Sequence, residues 1–268
     1  MKKQIASLIF IIMIFFSRSP VQSNPSEYNF EIGLNQHTGV FSRIFDTQHQ
    51  TGLYVATNQS FGKYMIRLRR GFRFEQTAYQ WEFESYPIFS DQYYGYLIYA
   101  WSDSEIFSQH RAGAELFTTL PFRNEGSLGF RYMNFQNGSQ SWIYTGSLNH
   151  YYASFLFIFR PYFVYSDGRS GQTFTGSVRH YFNDAGDYVL VRGGKGVSPD
   201  QTLMQLGERP EKDILLLRSL QGGIESRNHL TNRIVGQLSI DVFQQELAFD
   251  PGSYVINWLF QYGLIYHF

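Results

Sequence analysis

The sequence predicts an all-β fold: an antiparallel, up-and-down transmembrane β-barrel of about 12–14 strands behind a cleaved N-terminal signal peptide. Three observations predict it. Strand-sized segments, mostly 9 to 15 residues long, follow one another almost without interruption. Apolar and polar side chains alternate within them. The last segment, "SYVINWLFQYGLIYHF" (253–268), carries one entirely apolar, largely aromatic face.

The amino-terminal residues read as an export signal. Lys2 and Lys3 form a basic start, "ASLIFIIMIFF" (6–16) is an 11-residue apolar core, and "VQS" (21–23) offers a cleavage site. An uncleaved anchor helix is the alternative, but such a helix needs roughly 20 apolar residues to span a bilayer. The expected organisation is therefore a signal peptide over 1–23 and one domain over 24–268. The chain has no cysteine, which excludes a disulfide framework and a lipid-anchored start.

Beyond residue 23 no helix-length apolar run occurs. Aromatic residues still make up 19% of the chain and charged residues only 16%. An exported chain of this composition is either a secreted β-sandwich or a membrane barrel. The formal net charge is +0 and the pI is near 7.1, which argues against a nucleic-acid partner, whose binding surface is normally basic.

The segments fall at 28–37, 48–57, 63–74, 77–87, 95–103, 110–120, 126–135, 140–150, 154–165, 172–182, 187–196, 213–223, 232–243 and 254–268, which makes 14. A miscount by one hairpin would give 12. Globular strands average about five or six residues, whereas a tilted membrane-spanning strand needs roughly 9–11, so length favours the barrel.

Alternation is the stronger signal. In "KYMIRLRRGFRF" (63–74), Tyr64, Ile66, Leu68, Phe72 and Phe74 share one face, while Lys63, Arg67, Arg69 and Arg73 share the other. In "YQWEFES" (79–85), Tyr79, Trp81 and Phe83 oppose Gln80, Glu82 and Glu84. A hairpin tip at Glu75–Gln76 pairs Arg69 with Glu82 and Arg67 with Glu84, and the turn "PFRNE" pairs Glu115 with Arg131. Arg67, Arg69, Glu82, Glu84, Glu115 and Arg131 thus form an expected charge ladder lining a lumen. In so confined a space, a lone charge would cost several kcal/mol and pairing offsets much of that. Arg160, Arg179 and Arg192 extend the polar face. A solvated sandwich face with incidental ion pairs is the alternative reading.

With the amino terminus in the periplasm, the longest connections, "VSPDQTLMQLGERPEKD" (197–213) and "QQELAFDPGS" (244–253), point outward. "NDAGD" (183–187) and "NHYYAS" (149–154) point inward and are short, the asymmetry of outer-membrane barrels. "IFSDQYYG" (88–95) is long for the inward side.

In the final segment, Tyr254, Ile256, Trp258, Phe260, Tyr262, Leu264, Tyr266 and Phe268 share the apolar face, which needs outer-membrane lipid to cover it. Tyr and Trp also favour the bilayer interface. This ending resembles that of outer-membrane barrels, which close on a terminal aromatic preceded by alternating apolar residues. The resemblance implies that the barrel-assembly machinery reads Tyr262, Leu264, Tyr266 and Phe268 as an insertion signal.

A wider resemblance covers 84–200. "ESYPIFSDQYYGYLIYAWSDSEIFSQHRAGAELFTTLP", "SLGFRYMNF", "YTGSLNHYYASFLFIFRPYF" and "GSVRHYFNDAGDYVLVRGGKGVSPD", in that order and spacing, resemble the YaiO family of outer-membrane β-barrels. The resemblance implies a Gram-negative outer-membrane location and a barrel of around a dozen strands. It supplies no reaction.

Enzyme chemistry finds little purchase. The histidines His37, His49, His110, His150, His180, His229 and His267 are scattered over separate segments, and no GxSxG elbow occurs. There is no HExxH and no calcium-loop run of Asp, and "DSEIFSQH" (103–110) reads as a solvated loop. "RGGKG" (192–196) lacks the Ser/Thr and the helix of a phosphate loop. No catalytic, cofactor-binding or metal-binding residue is assigned, and no cofactor is expected. The expected function is a non-enzymatic, porin-like narrow channel or export-assisting pore for a small solute or surface glycan. The alternatives are a closed structural or binding barrel acting through its outer loops and, third, a lipid-modifying enzyme.

Overall fold

The computed structural model describes residues 29–43, 45–73, 75–166, 168–182, 186–199, 216–247 and 250–268. The expected signal peptide (1–23) and most of the expected long loop (200–213) lie outside them.

The chain forms 14 strands: β1 (Phe30–Phe41), β2 (Gln48–Gln59), β3 (Gly62–Arg73), β4 (Gln76–Pro87), β5 (Tyr93–Trp101), β6 (His110–Leu120), β7 (Asn124–Asn134), β8 (Gln140–Tyr152), β9 (Phe155–Ser166), β10 (Arg169–Tyr181), β11 (Tyr188–Pro199), β12 (Leu216–His229), β13 (Ile234–Leu247) and β14 (Asp250–His267). Each pairs antiparallel with the next, and β14 returns to β1 to close the barrel. The closing ladder runs from Glu31↔His267 to Phe41↔Asn257, and the Phe268 amide donates to the Phe30 carbonyl at 2.9 Å. Closure pairs the backbone groups that an open edge would leave bare in hydrocarbon. Each of the 14 predicted segments overlaps one strand, so the count is 14 rather than 12.

Burial decides between sandwich and membrane barrel, because it is inverted. On β4, Trp81 is 52% exposed while its neighbour Glu82 is 2% exposed. Tyr79 and Phe83 face outward with Trp81, and Gln80 and Glu84 face inward with Glu82. The same inversion holds along β14, where Tyr262, Leu264, Tyr266 and Phe268 are all exposed. Among the described residues, buried apolar side chains gather in a small cluster, Tyr54, Ala56 and Met65 against Ile265, and are otherwise scattered along the wall. Backbone pairing and apolar contact with lipid, rather than an internal hydrophobic core, hold such a wall together.

Two expected registers need correction. The β3–β4 turn lies at 74–75, not 75–76, and Arg73 pairs with Gln76. Arg67 therefore stands opposite Glu82, Arg69 opposite Gln80, and Met65 opposite Glu84. The turn places Glu75 at φ 60, a left-handed conformation that glycine or asparagine would normally signal. At the β6–β7 turn, Phe122 and Arg123 take φ 60 and 59, and Leu120 pairs with Asn124. Glu115 consequently faces Gly129 and Arg131 faces Gly113. Both shifts are by two residues, which changes partners and leaves faces unchanged.

The expected loop at 244–253 is also corrected. β13 continues to Leu247 and β14 begins at Asp250, leaving two residues between them. At the mouth away from the termini, the connections 74–75, 167–168 and 248–249 are equally brief. The length asymmetry between the two mouths rests on 102–109 and 200–215.

The seams are unequal. The β4–β5 ladder runs five pairs, from Trp81↔Trp101 to Ser85↔Leu97, with one isolated bridge at Ile88↔Tyr94. Its neighbour β5–β6 runs nine, from Tyr93↔Thr118 to Trp101↔His110.

Candidate functional site

The inward face carries charge in connected groups rather than a simple ladder. Glu82, at the centre of β4, accepts from three guanidiniums: Arg67, Arg69 (2.9 Å) and Arg111. Arg67 also donates to Glu84 at 2.9 Å, and the Tyr86 hydroxyl reaches the other Glu84 oxygen at 2.9 Å. Arg67, Arg69, Glu82 and Glu84 are thus brought together, joined by Arg111, which the sequence reading missed.

Glu115 and Arg131 are not paired. Glu115 takes Arg160 Nη1 at 2.7 and 2.9 Å and the Ser127 hydroxyl at 2.5 Å. Arg131 instead occupies the space beside Gly113, where a Cβ would meet its Cγ at 3.1 Å. Farther round the wall, Arg192 forks onto Asp241 (Nε to Oδ1 2.7 Å, Nη2 to Oδ2 2.6 Å) and donates to Glu225 at 2.9 Å. Near the termini, Lys63 meets Glu31 at 2.5 Å.

Two of these pairs, Arg111–Glu82 and Arg192–Asp241, reach past an intervening strand because that strand carries a small residue in the same row. Ala100 of β5 lies between Glu82 and Arg111, and Gly223 of β12 lies between Arg192 and Asp241. A bulky side chain at either place would stand in the guanidinium's path. The pairs run along the wall, joining a strand to its first, second or third neighbour.

Exposure follows one direction. The carboxylates of Glu82, Glu84, Glu115, Glu225 and Asp241 are 0–12% accessible, whereas the side chains of Arg67, Arg69, Arg111, Arg160 and Arg192 are 13–36% accessible. The anions sit against the wall and the cationic heads face the water-accessible interior. Arg179 adds a guanidinium stacked on the Tyr188 ring at 4.3 Å.

At the mouth away from the termini, the connection 102–109 departs from the expected solvated loop. Asp103 and Glu105 are exposed, but Ile106 and Ser108 are buried, and Phe107 turns inward over Gly71 of β3. A Cβ at Gly71 would lie 2.8 Å from Phe107 Cζ. The absent side chain makes room for the ring. Below this tuck lies a cavity of about 260 Å³ lined by Arg69, Arg73, Arg111, Gln80, His37 and Asn257, among others.

His37 and His49 both line this cavity, on the paired strands β1 and β2. His229 meets Asp187 at 2.8 Å, His110 meets the Tyr99 hydroxyl at 2.9 Å, and His150 meets Asn124 at 2.9 Å, each at a different place on the wall. Among the described residues no three His, Cys, Asp or Glu side chains gather as a metal-binding group.

The YaiO membrane beta barrel domain matches residues 29–201. The chain belongs to the YaiO family of membrane β-barrels. Its location is the outer membrane, in keeping with the outward apolar band. Two solved structures share the YaiO chain's fold. A bacterial polysaccharide outer membrane secretin superposes with a TM-score of 0.59 at 8% identity, over 90% of this chain and 99% of that one. The CymD monoaromatic hydrocarbon channel superposes with a TM-score of 0.58 at 8% identity, over 91% of this chain and 90% of that one. At such identity the likeness concerns the fold alone. None of the curated proteins matches the YaiO chain by sequence.

Proposed function

We propose that this outer-membrane barrel is a non-enzymatic, narrow channel that passes a small polar solute or a surface glycan. The observation that carries the reading is the direction of the lumen charges, with guanidinium heads toward the accessible interior and carboxylates sunk behind them. Such a lining conducts while resisting cations, because like charge in a confined low-dielectric passage raises their barrier. Fourteen strands fall between barrels filled by side chains and those with wide aqueous pores, which suits a narrow passage. The termini then face the periplasm, residues 1–23 act as the cleaved signal, and Tyr262, Leu264, Tyr266 and Phe268 serve the assembly machinery.

Single-channel recording on the chain from Asn24 to Phe268, refolded into a planar bilayer, tests this reading. A heat-modifiable gel shift serves as the folding control. Discrete steps with anion preference support the channel, and Arg160→Gln should lower that preference. A second reading, a closed binding barrel, draws on the tuck of Ile106 and Phe107 over the mouth. Silence from folded protein would favour it.

A further inference from the structure

The geometry points to a binding site for a hydroxylated anion, a carboxylate or phosphate carried on a compact polyhydroxyl body, in the cavity beneath Phe107. The site deepens the channel reading but stands on separate observations.

The first is charge. Arg67, Arg69 and Arg111 converge on Glu82 and Glu84, three cations on two carboxylates, and Arg69 and Arg111 line the cavity. The surplus positive charge is held by side chains fixed in place, so an incoming anion meets donors already oriented.

The second is unspent hydrogen-bonding capacity. Arg69 and Arg111 each give Nη2 to Glu82, yet the Nε–H of each is buried without an acceptor. Both guanidiniums keep part of their surface open to the cavity, at 22% and 26% side-chain exposure. Guanidiniums satisfied on one edge and short of acceptors on the other are suited to a planar or tetrahedral oxyanion. On β14, Asn257 also lines the cavity, and its Oδ1 is buried with no partner. An acceptor in that position calls for a donor, such as a hydroxyl. Inorganic phosphate can offer only its own P–OH, close to the charge; an acidic sugar or a sugar phosphate offers several hydroxyls spread over its ring.

The third is shape. About 260 Å³ lies just below the volume of drug-sized pockets, which fits one sugar-sized unit. Phe107, lodged over Gly71, gives the cavity an apolar wall. Arg69, Arg73 and Arg111 lie toward its polar side, as recognition of an amphipathic ring with one charged substituent requires.

Isothermal titration on the refolded chain in detergent micelles tests the site independently of conductance. The probes are glucuronate, glucose 6-phosphate, inorganic phosphate and glucose. Saturable binding of glucuronate or glucose 6-phosphate, tighter than that of inorganic phosphate and absent for glucose, is expected; which of the two binds tighter identifies the oxyanion. Arg111→Gln should weaken binding about tenfold or more by removing a charge-assisted donor. If that variant fails the heat-modifiability control, Gln80→Glu provides the second arm. It is isosteric, adds a carboxylate among guanidiniums already in excess, and should abolish anion binding while the barrel remains folded. Equal binding of glucose and glucuronate, no binding of any anion, or anion binding unchanged in Gln80→Glu would overturn the proposal. Binding by a protein that shows no conductance would uphold the site and overturn the channel. Conductance without binding would do the reverse.

Discussion

Arg192 grips both carboxylate oxygens of Asp241 by passing over Gly223, the residue that sits between them on the intervening strand. The fork needs the gap: a Cβ built on Gly223 would collide with the Asp241 carboxylate. Removing the cation with Arg192→Met leaves Asp241 and Glu225 without their shared counter-ion. Breaking a buried pair costs roughly 3–5 kcal/mol, and the partial exposure of Arg192 reduces that to about 2–3 kcal/mol. Urea unfolding in lipid vesicles should show the loss. Arg192→Met combined with Asp241→Asn should recover part of it, and Gly223→Val should reproduce much of the single-variant loss with every charge retained.

Phe107 occupies the space that Gly71 leaves empty, and its neighbour Ser108 is buried at 2% exposure. The chain has no cysteine, so Ser108→Cys provides a single reporter. It should react slowly with a maleimide in folded protein. Adding Gly71→Val pushes the ring out at an overpacking cost of about 1–3 kcal/mol, and labelling should accelerate about tenfold. Unchanged labelling would mean that the tuck does not depend on Gly71.

Leu128 lies near the middle of β7 on the outward face and is 79% exposed. Leu128→Arg should destabilise the barrel in vesicles by about 2–4 kcal/mol, the cost of a cation near the bilayer midplane. Phe122→Arg, at the β6–β7 turn, should cost no more than about 1 kcal/mol. Equal costs at the two positions would contradict the placement of the apolar band.

The Phe268 ring packs edge-on against Tyr266, with centroids 4.8 Å apart, and its amide ties β14 to β1. Phe268→Ser keeps that backbone bond. It should therefore leave the stability of refolded protein within about 1 kcal/mol of the parent, as an exposed substitution does. If the terminal face serves as an insertion signal, the same variant should sharply reduce the heat-modifiable fraction recovered from cells. Losses of equal size in both assays would assign Phe268 a purely structural role.

The strands and their faces were legible because lipid outside and charge inside impose a strict period of two. Trp81 and Glu82 announce their sides wherever the register falls. Partners were less legible, since register depends on turns that carried no glycine. Glu75, Phe122 and Arg123 take left-handed conformations against their ordinary preference, and each hairpin moved by two residues. The third cation on Glu82 was hidden for another reason. Arg111 is far from Glu82 in sequence, and its reach depends on Ala100, an inconspicuous residue on β5. The inward turn of Ile106 and Phe107 was obscured by the acids and serines around them.

A closed wall has no loose end, so it comes apart by parting along one joint. Backbone pairing is thinnest between β4 and β5: beyond Ser85↔Leu97 it is reduced to one bridge, Ile88↔Tyr94, and the Tyr86 and Tyr96 rings pack across the gap with centroids 5.1 Å apart. Deuterium should enter the amides of Tyr93 to Tyr96 before those of the longer ladders, as exchange tracks the cheapest local opening. Arg111 and Glu82 clasp the two sides of this same joint over Ala100. The charge that lines the lumen is therefore also a latch, placed where the backbone alone would let go first.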